Sequence, residues 1–99
     1  MLIRSQDSEI LINLNTLAGI EITKGSVKTT ITSYTTGCTY LLGEYSTKAK
    51  AMKVLDMIQE AYSEYQIMLN FSVSYLHEFK EKTDGFAIFQ MPEDSEVEA

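Results

Sequence analysis

The sequence predicts an α+β fold: an antiparallel β-meander of four or five strands packed by one long helix, then a second helix and a C-terminal strand. Three observations carry this expectation. Short β-branched segments recur at hairpin spacing through the first 45 residues. A helical apolar period takes over after Ser46. An apolar run, "FAIFQM", then returns just before Pro92. Ninety-nine residues, 44% of them hydrophobic, suit one domain with its own core. Residues 1–92 therefore read as that domain and 93–99 as a flexible acidic tail.

Taken in order, Leu2-Ile3 starts a short strand, and "SQDS" at 5–8 has turn chemistry. Ile10, Ile12 and Leu14 alternate onto one face of a second short strand. Asn13, Asn15 and Thr16 interrupt it. "LAGIEIT" resumes the pattern, with Ile20 and Ile22 opposed to Glu21 and Thr23. "KGS" at 24–26 is a turn. "VKTTITSYT" follows, with Val27, Thr29 and Ile31 on one side. Gly37 marks the next turn and "CTYLLGEY" the next strand. The apolar face of such a sheet needs a covering layer.

The covering helix follows at once. Ser46 or Thr47 can accept hydrogen bonds from its free N–H groups. Ala51, Leu55, Ile58, Tyr62 and Tyr65 then recur at steps of three and four, placing a helix at about 47–62. Lys48 and Lys50 in its first turn oppose the helix dipole. They read as solvated lysines, and an anion site at Ser46, Thr47 and Lys48 lacks a glycine-rich loop to support it. Met68, Leu69, Val73, Leu76 and Phe79 predict a second helical face ending near Thr83, before Asp84-Gly85. Whether 62–82 is one helix or two segments stays open in the sequence. In "FAIFQM", apolar residues on both faces suggest contacts on both sides, and Pro92 ends the pairing.

Composition narrows function. The net charge is −6, with −1 over residues 1–45 (three basic, four acidic) and −5 over 46–99 (five basic, ten acidic). Such a surface repels phosphate backbones, so direct nucleic-acid binding is not expected. It suits a basic protein surface instead. No apolar run reaches membrane-spanning length, and Arg4, Asp7 and Glu9 break any signal-peptide core. The lone Cys38 forms no intramolecular disulfide, which fits a reducing, cytoplasmic setting.

No catalytic, cofactor or metal set emerges. His77, the one histidine, lies four residues before Glu81, a spacing common on solvated helices. Zinc-ligand spacing is missing, and Cys38 has only His77 as a candidate histidine base. The six tyrosines carry more information, because tyrosine combines contact area with a polar tip. The sequence thus predicts a non-enzymatic intracellular protein-interaction module. Its candidate contact residues are Tyr62, Glu64, Glu78, Glu81, Glu93, Asp94, Glu96 and Glu98. The alternative is a small-molecule pocket between sheet and helix, rimmed by Tyr34, Tyr40 and Tyr45. A C-terminal strand shared between two copies would make a homodimer.

Three stretches carry a family resemblance: "MLIRSQD", "YLLGEYSTKAKAMKVLDMIQEAY" and "FQMPEDSEVE". Together they resemble a group of small uncharacterised proteins of Gram-positive bacteria and their phages or prophages. Arg4, Ser5, Gln6 and Asp7 match at the start. Gly43, Tyr45, Ser46 and Thr47 match before the helix, and Phe89, Gln90, Met91 and Pro92 near the end. The resemblance brings no catalytic role with it. It implies a regulator or inhibitor of a host protein. The "KAK" at 48–50 departs from the glutamate-rich helix start of that group.

Overall fold

The computed structural model describes residues 1–69 and 88–98. Six strands are present among them: β1 (Leu2–Arg4), β2 (Leu11–Asn13), β3 (Gly19–Lys24), β4 (Thr29–Thr35), β5 (Cys38–Tyr45) and β6 (Ile88–Gln90). One α-helix, α1 (Lys48–Leu69), follows β5. Short 3₁₀ turns lie at Leu14–Thr16 and Asp94–Glu96.

The strands do not form one long meander. They divide into two three-stranded sheets, ordered β2-β1-β6 and β3-β4-β5. The second is antiparallel throughout, whereas the first is mixed: β1 pairs antiparallel with β2 and parallel with β6. The break falls after β2 for a local reason. Asn13 Oδ1 accepts the Asn15 N–H at 3.0 Å, and Thr16 Oγ1 donates to the Asn13 carbonyl at 2.8 Å. These side chains stabilise a 3₁₀ turn in place of continued strand pairing. β3 therefore begins a separate sheet.

The predicted second helix also needs correction. α1 runs without a break through Tyr62 and Tyr65, well past the predicted end, and is the one α-helix among the described residues. Most of the predicted second helix, 70–83, lies outside the described residues. Thr47 Oγ1 accepts the Lys50 N–H at 3.2 Å, so Thr47 supplies the expected cap.

β4 alternates cleanly: Thr29, Ile31 and Ser33 are buried. Their neighbours across the sheet continue the inner face, with Ile22 opposite Ile31 and Ile31 opposite Gly43. The next pair, Thr32–Leu41, skips Leu42, so Leu42 is the extra residue of a β-bulge. The bulge lets both Leu42 and Tyr45 enter the core. Gly43 leaves room there, since a Cβ would stand 3.0 Å from the Tyr45 ring and hydroxyl and would crowd them. Val27, predicted to extend β4, sits in the preceding turn and is 81% exposed.

α1 covers the inner face of β3–β5 through Ala51, Val54 and Ile58. These residues join Met1 and Ile3 from the first sheet's end of the chain, and Met91 and Val97 from its C-terminal segment, in a single core. Ile3 is fully buried between Ile12 of β2 and Phe89 of β6.

Candidate interaction surface

The segments around 5–7, 42–46 and 90–94 meet in a hydrogen-bonded clamp. The backbone N–H of Gln6 donates to the Leu42 carbonyl at 2.7 Å. Its side chain then bridges two distant segments. Oε1 accepts the Glu44 N–H at 2.9 Å, while Nε2 donates to the Glu44 and Pro92 carbonyls at 3.2 and 3.1 Å. The Tyr45 hydroxyl donates to the same Pro92 carbonyl at 2.8 Å. Gln90 Nε2 answers from the other side, donating to the Ser5 carbonyl at 2.9 Å. Ser5 holds the turn itself: its hydroxyl donates to Asp7 and accepts the Ile10 N–H. That hydroxyl, followed by the Glu9 N–H, holds the Asp7 carboxyl below its usual range. The "SQD" turn therefore acts as a strut.

The clamp continues into the acidic end of the chain. Asp94 Oδ1 accepts from the Ser46 N–H at 2.7 Å and the Ser46 hydroxyl at 3.1 Å. Lys50 Nζ donates to the Asp94 carbonyl at 3.0 Å and reaches Oδ2 at 3.5 Å. The Ser46 N–H contributes most to holding the Asp94 carboxyl below the ordinary range, and the Ser46 hydroxyl and Lys50 reinforce it. Glu96 Oε1 accepts the Glu93 N–H at 3.0 Å. Val97 is buried at 4% exposure, and Lys53 Nζ donates to the Glu98 carbonyl. Residues 93–98, expected as a flexible tail, lie against the start of α1. The anion near the helix start is the chain's own Asp94. Burial, and then Glu93, Asp94 and Glu96, push the Tyr45 phenol well above its ordinary value.

The three tyrosines of the predicted pocket do not line one site. Tyr45 is buried in the core. Tyr40 pairs with Ser33 and so shares the inner face, but beyond the bulge, where it is 38% exposed. Tyr34 is on the opposite face, paired with Gly19 and Thr39. Tyr40 borders a hollow of about 260 Å³ between Ile10–Asn13, Thr16 and Thr35, and Tyr45 borders a separate one of about 350 Å³ with Gln6, Lys28, Ser46 and Asp94.

The predicted acidic contact set is likewise divided. Glu64 is exposed on α1, whereas the neighbouring Tyr62 is half-buried against the core. Glu78 and Glu81 lie outside the described residues, as does His77. The acids at 93–98 sit at the opposite end of α1 from Glu64. Lys50 is 14 residues before Glu64, about 21 Å at helical rise.

Sequence reasoning passed over the solvent face of α1. Met52, Asp56, Glu60 and Ile67 fall within roughly 80° of one another at 100° per residue. Met57 and Glu64 flank them on one side. Met52, Met57 and Ile67 are 44%, 36% and 62% exposed, and Asp56, Glu60 and Glu64 are also exposed. The signal was available in the sequence, because these are the positions the apolar period leaves outside.

Among the described residues, no group of three or more His, Cys, Asp or Glu is placed to hold a metal ion. Nor is any described helix long and apolar enough to cross a membrane. Comparison with protein-family models, curated proteins and solved structures returns no match.

Proposed function

We propose that the chain is a non-enzymatic protein-interaction module that captures a partner bearing a basic surface. The observation that carries this reading is the outer face of α1, where three exposed apolar side chains stand among Asp56, Glu60 and Glu64. The helix is anchored by its opposite face, so the backbone of the outer one is already ordered and only its side chains lose freedom on binding. Exposed apolar area supplies contact energy, and the acids supply steering and partner choice. Asp94 and Val97 are engaged within the fold, whereas Glu93, Glu96 and Glu98 stay exposed beside the start of α1. The exposed Cys38 thiol suits a reducing cytoplasm. The resemblance to small proteins of Gram-positive bacteria and their phages makes a host protein the natural partner.

Affinity capture from such a host tests the reading. The wild type is compared with Asp56→Asn/Glu60→Gln/Glu64→Gln/Ile67→Ser and with Val27→Ser, an exposed control in the turn before β4. A protein retained by wild type and control, but lost with the α1 variant, is the expected result. Equal retention by all three, or no protein above background, sinks the proposal. Circular dichroism establishes that each variant is folded.

A further inference from the structure

We infer that the partner presents a basic amphipathic helix, which lies along the outer face of α1. This rests on the interaction reading above and names the chemistry of the partner. Asp56, Glu60 and Glu64 stand at i, i+4 and i+8, so they form one continuous ridge on the helix. Ridges of this spacing pack against the matching rows of another helix. A partner with Lys or Arg every fourth residue places its cations against all three carboxylates. Apolar side chains toward the ends of the same partner helix would meet Met52 and Ile67, about 22 Å apart along the axis. Met57 adds a flexible, polarizable contact beside the ridge.

Charge complementarity selects this occupant over the others. Two copies of α1 face to face would bring six carboxylates together, against only Lys53 from each exposed sector. Nucleic acid and anionic bilayers repel the same ridge. A partner has to be cationic and has to offer apolar contacts, which a basic amphipathic helix does. The footprint is one helix face, smaller than that of a standard stable interface, so the complex is a transient one.

The test uses the full chain and a synthetic 18-residue helical peptide with lysine at four-residue spacing and leucine toward each end. Its control is a scrambled peptide of the same composition. Binding is read by fluorescence anisotropy at low and moderate salt. The ordered peptide is expected to bind at least tenfold more tightly than the scrambled one. Asp56→Asn/Glu60→Gln/Glu64→Gln should weaken it about tenfold or more and flatten its salt dependence. Ile67→Ser should weaken it with the salt dependence retained. Equal binding of the scrambled peptide reduces the effect to general charge attraction and overturns the inference. So does a dimer, seen by sedimentation, that Ile67→Ser dissociates. If the peptide fails to bind while lysate capture still depends on the α1 face, the interaction reading survives and the helical partner is wrong.

Discussion

Val97→Ala measures how firmly the acidic end is built into the fold. Val97 is 4% exposed and sits in the core cluster with Tyr45, Ala51 and Val54. Truncation to alanine removes two carbon groups from water-excluded packing. At about 0.8 kcal/mol for each, the transfer loss is about 1.6 kcal/mol. An incompletely collapsed cavity adds a little to this, so about 2 kcal/mol is expected. For a domain of this size, that corresponds to a fall in Tm of roughly 8–16 °C. Urea and thermal unfolding, followed by circular dichroism, give both numbers, and the urea slope should be unchanged. Glu98→Gln, an exposed change on the same segment, should stay within about 0.5 kcal/mol of wild type. A Val97→Ala loss no greater than that of Glu98→Gln would refute the docking of the segment.

Tyr45→Phe should destabilise by about 0.5–1 kcal/mol, because the Pro92 carbonyl keeps its bond from Gln6. The raised phenol contributes stability that is full below pH 10 and lost as pH rises above it, so the variant should flatten the alkaline fall in urea midpoint. Asp94→Asn should lower stability at neutral pH. Because the folded carboxyl is depressed, its contribution is present above about pH 4 and lost as the pH falls below that. The two proteins' midpoints should therefore converge in acid, and a gap that persists there would remove the ion from the account. Ser33→Ala should raise the unfolding free energy by up to about 1 kcal/mol, since Ser33 Oγ is buried without a hydrogen-bond partner. A marked loss on that change would reveal a bond the hydroxyl makes.

Local rules read the local parts of this fold well. The alternation of Thr29, Ile31 and Ser33, the turn glycines and the cap at Thr47 each depend on neighbours within a few residues. What the sequence hid is long-range. Nothing in "LIR" or "IFQ" states that these strands pair in parallel, because a three-residue strand has too few alternating positions to declare a partner. Val97 among acids carries no period at all, so its burial was invisible. Tyr45 looked like a pocket rim because tyrosine suits surfaces. The Leu42 bulge and Gly43, which fold its ring inward, act through sheet register, and register is not written in the spacing. On α1 the reverse holds: its solvent face is legible, because Met52, Asp56, Glu60 and Ile67 are the positions the apolar period leaves out.

The parallel pairing of β1 with β6 sets an order of events during synthesis. A ribosome makes Leu2–Arg4 some 86 residues before their partner Ile88–Gln90. The β3–β5 meander and α1 are close in sequence and can form early. β1 must wait with one edge unpaired, and the contact that closes it, Gln6 to Pro92, joins residues 86 apart. An unpaired edge invites pairing with other chains. Premature termination or clipping before residue 88 would therefore leave Ile3 on an open strand edge, and turn a late folding step into a route to aggregation.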